Sequence, residues 1–346
     1  MALVSPGSHW FGPVTKVCHS VRDWCESNGG RFIAGEEPHL FTAALPNGRV
    51  YGKRSLAVIS NRDEFFTELS LLHSSWRKIQ PVEEHRVFRQ LLLPRRRKLK
   101  GTAAVLASPE GGTYFHWMFE ALPGLEMLRR AGIARDSIDH FIVSGMSQRF
   151  QQVTLDHLKI SARAVSLDKS PHLQADTLIA SSVPVHAGQP CRWVLDFLRN
   201  TFLPMAEGIA AAPQRIYISR AKAKHRRLSN EAEVIRRLER IGFRPVHLEE
   251  LSLPEQIALF RNAEAIVGVH GAGFVNLAFC SPGTKVLEIF TPGLKPQMYA
   301  HLSGQLGLSY VGLVPVAAGD LVHVPPELRD VTVTATELDS ALERLG

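Results

Sequence analysis

Short apolar runs alternate with longer stretches in which apolar residues recur every three or four positions through the C-terminal half of the chain. The apolar runs predict strands at 215–219 (RIYIS), 243–248, 265–269 (AIVGV), 285–290 (KVLEIF) and 308–313 (LSYVGL). Between them, Val234, Leu238 and Ile241 predict a helix starting near Ser229 or Asn230. Ser252 and Glu255 form a capping box for a helix reaching about Asn262. Such alternation predicts a parallel sheet with helices on both faces. In VTVTATELDSALERL, a short strand leads to a last helix capped by Thr334 and Glu337.

The middle of the chain reads in the same way. It has a strand at 102–107, a helix over about 114–131, a strand at 140–144, a helix at 147–158, and strands at 163–167 and 176–181. The helical stretch CRWVLDFLRNTFL ends at Pro204, and the small, Pro-containing AEGIAAAPQ follows as a candidate linker. Earlier, HLFTAALPNGRVYGK predicts a β-hairpin around Asn47 and Gly48. RDEFFTELSLLHSSW carries a helical stripe, and Val17, Val21 and Trp24 suggest that VCHSVRDWC is helical.

With 346 residues the chain exceeds most single cores, so two α/β domains, 1–205 and 206–346, are expected. The last helix could pack back on the first domain. A ligand would lie in the cleft between two such domains, at the carboxyl ends of the strands.

Hydrophobic residues at 45% and charged residues at 21% exclude disordered and fibrous classes. A net charge of +7 implies an anionic partner: nucleic acid, anionic lipid or a phosphorylated small molecule. No run of 18 apolar residues occurs and MALVSPGSHW lacks signal-peptide character, so the expectation is a cytoplasmic protein, at most membrane-peripheral. If VCHSVRDWC is helical, Cys18 and Cys25 lie roughly 10 Å apart along the axis, beyond disulfide reach of about 7 Å. No Cys and His cluster has metal-site spacing.

Three stretches could carry chemistry. In GVHGAGFVNLAF, Gly271 and Gly273 follow a strand and open a helix, which suits a phosphate site, but Asn276 stands where a dinucleotide fingerprint needs its third glycine. Glu288, on the next strand, is placed to accept hydrogen bonds from a ribose. The alternative is a glycine turn closing a tight α/β unit, with Glu288 solvated. The second stretch, RIYISRAKAKHRRLSNE, gathers Arg220, Lys222, Lys224, Arg226 and Arg227 in a loop after a strand. Such cations can stabilise the charge developing on a diphosphate leaving group without a metal, although part of them forms a solvated face. The third, YFHWMFEALPGL, sets His116 and Glu120 on one helix face, followed by Pro123. That pair suits general-base work with either member as the base, or is a surface His with a weak partner.

YFHWMFEALPGLEML, RIYISRAKAKHRRLSNEAEV and AEAIVGVHGAGFVNLAFCSPGTKVLEIF together resemble the glycosyltransferase family 61 proteins of bacterial capsular and cell-envelope polysaccharide biosynthesis. The resemblance covers about residues 100–345 and implies a GT-B architecture, two Rossmann-like domains, the first on the acceptor side and the second binding the nucleotide-sugar. It implies inverting transfer from a nucleotide-sugar donor, UDP-linked, to a hydroxyl of a glycan or glycoconjugate, with no metal or other cofactor. His116 and Glu120 fall on the family's His and acid, with Glu where many relatives have Asp. Arg220, Asn230 and Glu231 fall in the second block, as do Lys222 and Arg226. His270, Gly271, Ala272, Gly273 and Asn276 fall in the third, and Glu288 on its ribose-facing acid. Partners would be the nucleotide-sugar and a glycan acceptor, with room for a lipid-linked acceptor, peripheral membrane contact or an oligomer, and no nucleic acid. Rival readings are an NAD(P)-dependent oxidoreductase, whose fingerprint normally has the third glycine, and a nucleic-acid-binding protein.

Overall fold

The five apolar runs of the C-terminal half are strands, Arg215–Ile218, Arg244–Val246, Ala265–Val269, Lys285–Ile289 and Ser309–Leu313. All pair in parallel, with Arg244–Val246 at one edge, then Arg215–Ile218, Ala265–Val269, Lys285–Ile289 and Ser309–Leu313. Side chains alternate between the two faces of this sheet. Tyr217, Val267, Leu287 and Ile289 pack with Val234 and Leu238 of the helix Glu231–Arg240 and with Leu338 and Ala341 of the helix Ala335–Leu345. Ile266 and Gly268 face the other way, where Gly268 abuts the ring of Phe274. The last helix, with its Thr334 and Glu337 capping box, puts Leu338, Ala341 and Leu345 into the core of this half. Its amphipathic stripe needs a sheet face, and this sheet supplies it.

The computed structural model describes residues 14, 16–37, 39–52, 55–70, 82–186, 188–210, 213–294, 297–316 and 324–346. The chain forms two units, 1–187 and 188–346, so the division falls before the helix Arg192–Phe202 and not at the small-residue segment expected to be the linker. Arg199 of that helix donates to the carbonyls of Ala278 and Cys280 at 2.8 Å each, which ties the helix to the second unit. Residues 211–212 of the expected linker and the opening stretch 1–10 lie outside the described residues.

In the first unit, ten strands among the described residues form one mixed sheet. His172–Ser181, Arg97–Leu106, His140–Val143 and Ala164–Ser166 are its parallel part, adjacent in that order. The remaining, N-terminal strands extend it on the side of His172–Ser181. The expected hairpin at Asn47 and Gly48 is absent: Phe41–Pro46 and Arg49–Tyr51 pair one after the other with His172–Ser181, as one long strand with a kink. A two-residue hairpin turn of the favoured type I′ needs positive φ at both central residues, and here only Asn47 has it, at 51°.

The expected helix in RDEFFTELSLLHSSW is not formed where it is described. Glu64–Phe66 is a strand beside Lys16–Cys18, and residues 71–76 lie outside the described residues. Phe65 and Phe66 are both fully buried, one with Phe88 and one with Trp24, as consecutive strand residues on opposite faces are. Tertiary packing overrides the helical stripe here. Likewise, only Val21–Asn28 of the first expected helix is helical; Lys16–Cys18 is a strand, and Ser20 caps the helix between them. None of the four cysteines is in a disulfide among the described residues. No helix among the described residues is long and apolar enough to cross a membrane.

Candidate active site

In the second unit, the chain leaves Arg215–Ile218 toward one edge of the sheet and leaves Ala265–Val269 toward the other. A crevice opens at such a switch point, beyond the carboxyl ends of the two central strands. The two loops that follow these strands begin at Ser219–Arg220 and at His270–Gly271, two of the three stretches singled out in the sequence.

Arg220 and Arg226 meet there. Arg220 donates from Nη2 to the carbonyl of His225 at 2.9 Å and from Nε to that of Arg226 at 3.0 Å. Glu231 fixes the start of the loop by accepting from the Tyr217 hydroxyl (2.8 Å), the Ser219 hydroxyl (2.9 Å) and the backbone N–H of Arg220 (3.2 Å). Among the described residues, neither arginine has a carboxylate within ion-pair distance. Burial, and then the neighbouring Arg226 cation, lower the Arg220 pKa to about 10; burial lowers that of Arg226. Arg220 stays charged at neutral pH. Arg226 has a left-handed backbone, φ 58°, and its buried Nε lacks a hydrogen-bond partner. A left-handed backbone and a buried Nε without a partner both cost stability.

Arg227, Lys222 and Asn230 of the basic loop have partners within the chain. Arg227 is bidentate to Asp330, and Lys222 pairs with Glu250 on the exposed surface. Asn230 donates to the carbonyl of Val333 at 2.8 Å and accepts from its N–H at 3.2 Å, strapping the loop to the segment before the last helix. A cavity of about 310 Å³ beside this strap is lined by Ser229, Pro292, Asp330 and Val331 among others.

The glycine loop is built differently from a dinucleotide turn. Gly271 is extended, with φ −179°, so its small size and not a left-handed backbone is what the site uses. A Cβ there would stand 2.2 Å from Nη1 of Arg220. At Gly273 a Cβ would meet Leu248 at 2.8 Å. The turn Ala272–Phe279 that follows is a 3-10 helix, and Asn276 is buried in it with its amide donating to Gln256 at 2.9 Å. Tyr299 donates to the carbonyl of Gly271 at 3.0 Å.

Glu288 is fully buried. One carboxylate oxygen faces Nδ1 of His270, and the other accepts from the hydroxyl of Tyr310 on the neighbouring strand. Burial and the Glu288 charge raise the Tyr310 pKa, so the phenol keeps its proton and remains the donor. Glu288 is thus neither solvated nor at an open edge. Both of its oxygens are engaged within the fold, and a direct bond to a ribose would require one of them to let go. His270 is held further by the rings of Phe290 and Tyr299, 5.8 and 5.5 Å away.

In the first unit, the third stretch follows the strand Arg97–Leu106. The helix expected over 114–131 is broken there: Tyr114–His116 leads into a π turn, Trp117–Ala121, and regular helix resumes at Gly124–Arg130. The amide of Leu122 reaches the carbonyl of Trp117 at 3.0 Å, one residue wider than an α-turn, just before Pro123, which has no N–H to give. Such turns occur often at functional sites.

His116 and Glu120 sit at this break and are brought together, Nδ1 to Oε1 at 2.8 Å. This is a charge contact, without the alignment of a hydrogen bond. The other oxygen of Glu120 accepts from Ser108 at 2.6 Å. On the opposite side of the ring, Nε2 of His116 lies 3.2 Å from Oε2 of Glu110. Burial disfavours the imidazolium, but the carboxylates of Glu110 and Glu120 outweigh it and raise the His116 pKa to about 9. The ring is therefore a cation at neutral pH in the resting protein.

Ser108, Glu110, Tyr299 and Tyr310 were not among the residues singled out in the sequence. Ser108 and Glu110 lie in the loop following a parallel strand, where ligand-binding groups collect, and Tyr310 interrupts an apolar strand with a hydroxyl.

The sequence profile described as Glycosyltransferase 61 matches residues 114–287, which include the π turn and both loops of the second unit. Among characterised proteins, the chain is 28% identical over 128 residues to a β-1,2-xylosyltransferase of Oryza sativa subsp. japonica, 35% of this chain and 22% of that one. It is 31% identical over 97 residues to an EGF domain-specific O-linked N-acetylglucosamine transferase of Drosophila melanogaster, 27% of this chain and 18% of the relative. It is 27% identical over 129 residues to a protein O-linked-mannose β-1,4-N-acetylglucosaminyltransferase 2 of Takifugu rubripes, covering 36% and 20%. The chain spans about a fifth of the length of each of these relatives.

Proposed function

Because the chain belongs to the glycosyltransferase 61 family, we propose that it moves a sugar from a nucleotide-sugar to a hydroxyl of a glycan or glycoconjugate, with inversion at the anomeric carbon. The observation that carries this reading is the pair Arg220 and Arg226 at the switch point of the second sheet, with one buried guanidinium nitrogen left without a partner. A departing nucleoside diphosphate is an anion that this pair can hold, and fixed cations lower the energy of the transition state in which its charge develops. His116 and Glu120 form the base centre that takes the acceptor's proton. Within the same proposal, Glu288 acts through His270, the glycine loop admits Arg220, and no metal is needed. The GT-B architecture, a role in polysaccharide biosynthesis, and a place in the cytoplasm or at a membrane surface go with it.

Family membership speaks against the oxidoreductase reading. The test is a panel of nucleotide-sugars beginning with UDP-N-acetylglucosamine and UDP-xylose, after the sugars named in the relatives. Release of UDP that survives a metal chelator supports the proposal. A rise in melting temperature with NADH and none with UDP would overturn it.

A further inference from the structure

His116 touches two carboxylates that differ sharply in setting. The Glu120 side chain is 8% exposed and anchored by Ser108, whereas that of Glu110 is 60% exposed. The backbone beneath Glu110, by contrast, is held firmly. Ser144 accepts from the N–H of Ser108 at 2.9 Å and donates to its carbonyl at 2.8 Å. The N–H of Gly111 bonds the carbonyl of Ser108 at 3.0 Å, and buried Gln151 donates to the carbonyl of Gly111 at 2.9 Å. A side chain at 111 would collide with Ser144, its Cβ 2.3 Å from Oγ. On a backbone held in this way, an exposed side chain such as that of Glu110 moves by rotamer change, in picoseconds to nanoseconds, and without loop opening.

We propose that Glu110 is a displaceable cap on His116: it occupies Nε2 in the resting protein and swings away when the acceptor hydroxyl takes its place. The inference rests on the reading of His116 and Glu120 as the base centre.

Among the described residues, Glu110 faces Nε2, Glu120 faces Nδ1, and the Phe115 ring stands T-shaped to the imidazole, centroids 5.1 Å apart. With both carboxylates in place the imidazolium is favoured and Nε2 carries a proton, so it cannot accept one. Once Glu110 leaves, one of the two counter-charges is gone, and Nε2 releases its proton to solvent more readily. The neutral ring then takes the proton of the acceptor hydroxyl. The acceptor oxygen forms its bond to the anomeric carbon, and the bond from that carbon to the diphosphate oxygen breaks, its electron pair leaving with the diphosphate. Glu120 stays on Nδ1 throughout as a positioning residue. The cap keeps the base inactive toward water until an acceptor fills the site.

The experiment is the titration of His116 by NMR in the full chain, wild type against Glu110→Gln, paired with the pH profile of UDP release from UDP-N-acetylglucosamine and UDP-xylose. Losing one adjacent opposite charge should lower the His116 pKa by about 1 unit. The acidic limb of the pH profile should move toward acid with it, and Glu110→Asp should restore part of both shifts. An unchanged His116 titration in Glu110→Gln overturns the cap. So does loss of turnover at every pH, which would make Glu110 itself the proton acceptor. Full turnover in both His116→Ala and Glu120→Gln would instead sink the base centre, whatever the Glu110 titration shows.

Discussion

Replacing Gly271 by Ala tests whether this glycine exists to admit Arg220. The new Cβ would lie 2.2 Å from Nη1 and 3.1 Å from Cζ of that arginine. Carbon and nitrogen rest near 3.5 Å, so Nη1 must retreat by about 1.3 Å. The backbone imposes no strain of its own, because an extended φ of −179° suits alanine as well as glycine. The displaced guanidinium leaves the carbonyls of His225 and Arg226, which now hold it at 2.9 and 3.0 Å. A hydrogen bond to a charged group contributes about 1.5–3 kcal/mol, so UDP affinity should fall roughly 10- to 100-fold. Calorimetry with UDP on wild type, Gly271→Ala, Arg220→Ala and the double variant forms a closed cycle. Gly271→Ala should be nearly silent once Arg220 is gone. If it weakens UDP equally in both backgrounds, the glycine is acting on the ligand directly, and if it weakens UDP in neither, Arg220 is no part of the site.

Three more outcomes can be checked. The folded pKa of His116, about 9, lies above its ordinary 6.5; the contribution is therefore complete below pH 6.5 and lost as pH rises through 9, and amounts to roughly 3 kcal/mol. Unfolding curves of wild type and His116→Asn should accordingly converge by about that much between pH 6.5 and 9.5, and a constant gap would refute the carboxylate pairing. Tyr310→Phe leaves one oxygen of fully buried Glu288 without a donor. It should cost about 1–3 kcal/mol, seen as a melting temperature lower by several degrees; an unchanged melting temperature would mean that the hydroxyl is dispensable. Lys222→Ala breaks only an exposed pair with Glu250 and should leave both melting temperature and UDP affinity unchanged. A marked loss of UDP affinity would return Lys222 to the site.

Apolar periodicity determined the five strands of the second unit and the helices between them, because a parallel sheet covered on both faces writes itself into continuous apolar runs. Capping signals at Ser252 and Thr334 fixed two helix starts for a similar local reason: the bonds they make span three residues. The His116 and Glu120 pair was legible through its spacing, and the basic and glycine loops through their place after strands. What periodicity missed depends on partners far along the chain. Glu64–Phe66 is a strand because it pairs with Lys16–Cys18, and Asn47 kinks a strand because His172–Ser181 runs beside it. The division of labour within the basic loop is of the same kind. Arg227 and Lys222 find Asp330 and Glu250, 103 and 28 residues away, while Arg226 is left with its Nε unsatisfied. Glu288 reads as a ribose acid in sequence, yet the register of three parallel strands puts His270 and Tyr310 against its two oxygens. Local sequence thus set which side chains could do chemistry. Which of them are already satisfied, and so which remain for a ligand, is a property of distant contacts, and only the folded chain decides it.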